Sequence, residues 1–318
     1  MADLGMMNLP KDKSPSIAIL MGTYNAERFL EQQLESIKSQ TVTNWSLWVS
    51  DDGSSDNTLA ILDKYKKKWG PGQLNVRRGP QKGFAHNFMS LVCDSEITAD
   101  YFSFSDQDDI WEEDKLERAL NALSVFPANQ PSLYCSRTRL VDENNVEIGF
   151  SPPCLKSAGF VNALVQSLGG GNTMLFSDAS HKLLLTAGCV DVVSHDWWVY
   201  IVVSGCGGRI VYDSYPSLRY RQHQCNLVGT NAGCRQKIIR LRQLWRGEFQ
   251  TWIDRNINAL KLLNQNLTPT SKQYLEMFST ARQAPLFKRL IGLKKSGIYR
   301  QSLLGNIGLI FAAFFGKL

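Results

Sequence analysis

Over the first 125 residues, apolar runs of strand length alternate with stretches of helical periodicity, and this alternation constrains the fold most. Ser16–Met21 (SIAILM) is continuously apolar, as a strand buried on both faces requires. Across Glu27–Gln40 the residues Phe29, Leu30, Gln33, Leu34 and Ile37 recur at helical spacing. Trp45–Ser50 predicts a second strand. Asp56 or Ser55 can cap a helix running to Trp69, with Leu59, Leu62 and Tyr65 on its inner face. Asn75–Arg78 and Asp100–Ser105 predict further strands, Gly83–Val92 and Glu113–Phe126 further helices. Such spacing implies an α/β fold with a doubly wound, mainly parallel, Rossmann-like sheet. Ligands in these sheets bind beyond the carboxyl ends of the strands. Three polar clusters stand there: Gly22-Thr23-Tyr24-Asn25, Asp51-Asp52-Gly53-Ser54 and Asp106-Gln107-Asp108-Asp109.

Beyond residue 130 the pattern becomes mixed. Ser132–Val141 and Arg209–Tyr215 predict strands, Gly169-Gly170-Gly171 a loop and Asp178–Ala187 a helix. From Gly233 to about Gln265 a long basic helical stretch follows. The expected division is a catalytic domain over 14–232, nucleotide-binding to about 130 and acceptor-binding from about 131, with a helical region over 233–318.

The net charge is +6, and Ala284–Leu318 alone holds Lys288, Arg289, Lys294, Lys295, Arg300 and Lys317 with no acidic residue. The remainder therefore sums to about zero, which argues against a basic coat for nucleic acid. Seven scattered cysteines include no CxxC pair, so neither a zinc site nor a redox dithiol is expected, and free thiols in a reducing cytosol are. Met1–Pro15 is polar and lacks the apolar core of a secretory signal. Gln301–Gly316 carries no charge, yet it is shorter than the roughly twenty residues that cross a bilayer. Basic and then apolar, this segment predicts a helix lying on an anionic membrane surface. Packing on the catalytic domain or at a dimer interface is the alternative.

The chemistry starts from Asp106-Gln107-Asp108-Asp109. Three carboxylates at the end of an apolar strand repel unless a cation lies among them, and hard oxygen ligands of this kind suit Mg²⁺ or Mn²⁺ bridging phosphates. The competing explanation is that Asp108 or Asp109 merely caps the following helix. Asp51-Asp52-Gly53-Ser54 alone reads equally as a turn. Taken in order, TYN after one strand, DDGSSDNT after the next and FSFSDQDDIW some fifty residues later, the clusters resemble the family 2 glycosyltransferases of GT-A fold.

That resemblance implies an inverting, metal-dependent sugar transfer from a nucleotide-sugar donor. It places Thr23 and Tyr24 along the base, Asp52 on the pyrimidine N3–H, and Asn25 and Asp51 beside them. Asp106-Gln107-Asp108 matches the DxD-type motif, with Asp106 toward the ribose, Gln107 beside it and Asp108 on Mn²⁺ or Mg²⁺. Ser194-His195-Asp196-Trp197-Trp198 occupies the place of the family's base. Asp196 would take the acceptor proton, with His195, Trp197 and Trp198 on the acceptor side. His195 departs from the family's usual Glu. The string RQHxxNxxG from Arg221 resembles a bacterial subgroup that includes rhamnosyltransferases and O-antigen or cell-wall polysaccharide enzymes. It implies His223 near the metal and Arg221 near phosphate. Gly170 and Gly171 would floor the sugar site, and Lys82 would neighbour phosphate. The implied acceptor is a glycan, lipid-linked, met at the cytoplasmic face of a bacterial inner membrane. Donor sugar and oligomeric state stay open, a homo-oligomer included. The alternatives are a sugar-nucleotide nucleotidyltransferase, against which TYNAERF after the first strand counts, and an inactive membrane-associated scaffold.

Overall fold

The structure is a computed structural model that describes residues 14–223 and 248–318. Seven strands form its main sheet in the order β10-β6-β9-β4-β1-β2-β3. They are β1 (Ile17–Thr23), β2 (Trp45–Asp51), β3 (Leu74–Arg78), β4 (Tyr101–Ser105), β6 (Ser132–Ser136), β9 (Leu175–Ser177) and β10 (Arg209–Asp213). All pairings are parallel except those of β9, which runs antiparallel to β4 and β6. The chain lays down β1, β2 and β3 in one direction and then returns to place β4 on the other side of β1. That reversal opens a crevice at the carboxyl ends of β1 and β4.

Helices α1 (Leu30–Lys38), α2 (Thr58–Lys68), α3 (Phe84–Val92), α4 (Lys115–Leu123), α5 (Phe160–Ala163), α6 (Asp178–Ala187) and α7 (His195–Gly205) follow the strands. Strand β1 shows why its sequence is apolar throughout. Ala18 and Leu20 enter one core cluster, while Ile17, Ile19 and Met21 enter the other, so alternate side chains are buried on opposite faces. The doubly wound, mainly parallel α/β class inferred from the sequence is the observed one.

Ser132–Val141, expected as one strand, is two. Strand β6 ends at Ser136 and β7 (Arg139–Val141) joins a second sheet, because the intervening backbone is drawn to two places. Arg137 N donates to Asp213 O and Thr138 N to Ser151 Oγ. That second sheet runs β5 (Ile110–Trp111), β11 (Leu218–Arg221), β7, β8 (Glu147–Phe150). It was not foreseen, and it sets the end of β11 beside the end of β4.

The last part of the chain forms α8 (Glu248–Leu260), α9 (Pro269–Gln283), α10 (Leu286–Lys295) and α11 (Leu303–Phe314). Phe249, Ile253, Leu260, Phe278 and Leu309 from these helices share the core cluster of Phe102 and Phe104. Of the basic stretch expected from Gly233, residues 233–247 lie outside the described residues. No described helix is long and apolar enough to cross a membrane, and the five described cysteines are free.

Candidate active site

Strand order brings Thr23, Asp51 and Asp106 to one end of the sheet, and hydrogen bonding sorts them. Asp51 is buried and its carboxylate is saturated. Oδ2 accepts from Thr23 Oγ1 (2.9 Å) and Ser54 Oγ (2.6 Å), Oδ1 from the backbone N–H of Ser54 (2.9 Å) and Gly53 (3.2 Å). This fixes the turn after β2, where Gly53 has a φ of +97° that favours glycine. Asn25 binds the same turn through Ser55 N (2.9 Å). Thr23, Asn25 and Asp51, expected along and beside the base, have these polar atoms bonded within the crevice wall.

Asp52 is partly exposed, each oxygen accepting one backbone N–H, from Gln81 (2.6 Å) and Gly83 (3.0 Å), so it draws the loop before α3 against the turn. Lys82 stands exposed on that loop. Tyr24 is 58% exposed. Its backbone is clamped by Gln107, which accepts from Tyr24 N (2.8 Å) and donates to Tyr24 O (3.2 Å). Gln107 thus splints the β1 and β4 loops together.

The carboxylates after β4 differ. Asp109 is fully buried, and its Oδ2 accepts from Asn172 Nδ2 (2.5 Å), tying the Gly169–Thr173 turn beneath the site. Burial and the neighbouring Asp106 and Asp108 push its carboxyl well above the usual range. Close by lies a residue that the sequence reading passed over. Lys115 is 1% exposed, with Nζ 3.7 Å from the Trp111 ring centroid and 3.4 Å from Ser103 Oγ. Burial pushes its amine down to about 7, Asp109 opposing. A lysine beginning a helix whose other charges face water carries no sequence signal of burial.

Asp106 lies in the crevice with no side-chain hydrogen bond among the described residues. Burial, then the like charges of Asp108 and Asp196, push its carboxyl up to about 7. Asp196 is therefore close enough to repel Asp106, though the two are ninety positions apart in the chain. Asp108 Oδ2 meets His223 Nε2 at 2.7 Å. The second sheet delivers that histidine, since β11 pairs with β5 immediately after the Asp106–Asp109 turn.

Arg221 is 1% exposed, and it braces this corner. Its guanidinium donates to Asp108 O, Glu143 O and Gln32 Oε1 and lies over the Phe29 ring. Expected near phosphate, the guanidinium is bonded to protein groups in this structure. Among the described residues no three His, Cys, Asp or Glu side chains are gathered as a preformed metal cluster. The donor chemistry of Asp106, Asp108 and His223 nevertheless fits a divalent ion: hard carboxylates under mutual repulsion, with an imidazole already at hydrogen-bond distance.

Asp196 is in the first turn of α7, partly exposed, its Oδ1 accepting from Trp197 N (2.7 Å). Its neighbours are not on the acceptor side. Trp197 is buried with Nε1 donating to Ala163 O (2.7 Å), and Trp198 is fully buried. Helix α7 is apolar almost all round and so sinks into the core, taking both indoles with it. His195 is buried too, stacked on Phe88 with centroids 3.8 Å apart and edge-on to Phe104. Neither ring nitrogen has a hydrogen-bond partner among the described residues, and burial pushes the imidazole down to about 4. A Cβ on Gly171 would stand 2.5 Å from His195 Nε2, so glycine at 171 is what lets the turn close over this ring.

A mainly parallel sheet whose switch-point crevice ends in Asp106, Asp108 and Asp196 is that of a GT-A type sugar transferase. The profile of Glycosyl transferase family 2 matches residues 18–159. The chain is 30% identical over 255 residues to the dTDP-rhamnosyl transferase RfbG of Shigella flexneri, spanning 76% of this chain and 84% of that protein. It is 29% identical over 145 residues to the Escherichia coli UDP-Glc:alpha-D-GlcNAc-diphosphoundecaprenol beta-1,3-glucosyltransferase WfgD, 43% of this chain and 51% of that one. In fold it is similar to S. aureus TarS 1-349, solved in complex with UDP-GlcNAc, with a TM-score of 0.53 at 16% identity over 89% of this chain and 93% of TarS. The chain belongs to glycosyl transferase family 2.

Proposed function

We propose that the protein transfers a sugar, with inversion, from dTDP-rhamnose or a UDP-hexose to a hydroxyl of a lipid-linked glycan in bacterial polysaccharide or O-antigen synthesis. One observation carries the reading: Asp106, just past the end of β4, stands close enough to both Asp108 and Asp196 of α7 for their charges to raise its carboxyl. The activities for which RfbG and WfgD are named support the donor class, and that of WfgD supports the lipid-linked acceptor. A nucleotidyltransferase is no longer needed to explain the aspartates.

In this reading Tyr24, Asp52 and Lys82 take the nucleotide, and Gly170 and Gly171 floor the sugar pocket. Asp108 and His223, with Asp106 beside them, would hold Mn²⁺ or Mg²⁺, which when bound supplies positive charge against the diphosphate. Asp196 accepts the proton of the acceptor hydroxyl as its oxygen bonds to the anomeric carbon. The bond from that carbon to phosphate breaks with its electron pair leaving on the nucleoside diphosphate. In this reading the catalytic unit runs from 14 to about 232 and the helices from Glu248 onward are attached to it, at the cytoplasmic face of the inner membrane.

Thermal-shift screening of dTDP- and UDP-sugars with and without Mn²⁺ tests the donor assignment. A ligand that binds only the folded state raises the Tm as its concentration exceeds Kd. A rise with one sugar nucleotide, larger with Mn²⁺, is expected. No rise with any of them contradicts the reading.

A further inference from the structure

We infer that the outer faces of α10 and α11 form a docking surface for an anionic phospholipid bilayer, on which the protein rests without crossing. This deepens the proposed function, because it gives the surface at which a lipid-linked acceptor is met. Helix α11 is apolar all round, LLGNIGLIFAAF, and such a helix is ordinarily enclosed. Here only one side is. Leu309, Ala312 and Ala313 are buried, whereas Leu303, Leu304, Ile307, Ile310, Phe311 and Phe314 are exposed. At 100° per residue those six fall within an arc of about 120° opposite the buried side. Leu303 is 77% exposed and Phe311 57%, which is unusual for large apolar side chains standing next to one another.

Helix α10 repeats the arrangement with charge added. Phe287, 80% exposed, and Ile291 share its outer face. Helical spacing puts Lys294 on one side of that pair and Lys288 and Lys295 on the other, all three exposed. Lysines bordering an apolar strip suit the head groups of anionic lipid while the strip enters the acyl boundary. The two helices are joined, since Arg289 Nη1 donates to Ala313 O (2.8 Å). From Ala284 onward there is no acidic residue to oppose such a surface. A second copy of the chain is the poorer occupant, because face-to-face pairing would set one lysine border against another.

The surface is also fixed to the acceptor half of the molecule. Ahead of α11, Tyr299 O accepts from Asn162 Nδ2 (2.9 Å), while Gln301 N donates to Gln166 Oε1 (2.8 Å) and its Oε1 accepts from Lys156 N (2.9 Å). Gln166 lies shortly before the glycine turn that closes over His195. Docking on lipid would therefore hold the catalytic crevice at a set relation to the bilayer.

Flotation of the full chain with vesicles tests this. Vesicles of equal parts phosphatidylglycerol and phosphatidylcholine are expected to carry the protein up at low salt, and pure phosphatidylcholine vesicles to carry much less. The double variant Ile310→Glu with Phe311→Glu should lose binding at least tenfold, roughly, as should Lys288→Ala, Lys294→Ala, Lys295→Ala combined, both keeping the wild-type Tm. Absence of wild-type flotation on anionic vesicles overturns the inference. So does unchanged binding in both variants, or a wild-type dimer that the glutamates split while vesicle binding persists. Flotation is read without sugar nucleotide, so it stands or falls separately from the donor screen.

Discussion

Asp51 and Asp106 close the strands on either side of β1, yet one is bonded to four donors and the other to none among the described residues. The first is a carboxylate that shapes a turn. The second is held beside Asp108 and Asp196 in a position that suits an arriving cation or substrate better than it suits the resting protein. A saturated buried carboxylate marks architecture, and a crowded unsatisfied one marks chemistry. By the same criterion Thr23, Asn25, Gln107, Asp109 and Arg221 belong to the frame, while the reaction proposed above is centred on Asp106, with Asp108 and Asp196 beside it.

The contrast is broken most sharply by substituting both aspartates. Asp51→Ala should destabilise the fold by about 3 kcal/mol in urea unfolding, since it strands the N–H groups of Gly53 and Ser54 and two hydroxyls. Asp106→Asn should keep at least the wild-type Tm and lose transfer about a hundredfold. Equal stability losses in the two variants would erase the distinction.

His195 extends the comparison to pH. Its imidazole sits near 4 when folded and near 6.5 when unfolded, so between those values the unfolded chain binds more protons. The His195 contribution to stability should therefore rise with pH from about 4 to 6.5, by up to about 3 kcal/mol, and level off above, while the raised carboxyls of Asp106 and Asp109 contribute with the opposite sign. His195→Asn should flatten that rise in the pH dependence of Tm. A smaller effect is expected of Gly171→Ala, whose Cβ would press on His195 Nε2. Overpacking there should cost about 1–3 kcal/mol, and the paired variant with His195→Asn should recover much of it.

The main sheet was legible in the sequence because strands such as β1 are buried on both faces, which writes their position as unbroken apolar runs. The second sheet was not. Strand β5 has two residues and β7 three, too few to show alternation, and β7 is set apart from β6 by where the N–H groups of Arg137 and Thr138 find acceptors. The order of polar clusters pointed to the crevice at the carboxyl ends of β1 and β4. It could not separate struts from working groups, because Asp51 and Asp106 look alike until their donors are counted. The resemblance puts Trp197 and Trp198 on the acceptor side, but the apolar circumference of α7 places both inside.

In the proposed reaction Asp196 acts from the acceptor side against a donor held at Asp106 and Asp108. Single-turnover transfer by Asp196→Asn, measured beside its affinity for the donor nucleotide, tests that division directly. Transfer should fall about a thousandfold with nucleotide Kd and Tm unchanged, as removal of a general base predicts. Wild-type transfer by Asp196→Asn, or a nucleotide affinity lost together with the rate, would contradict it.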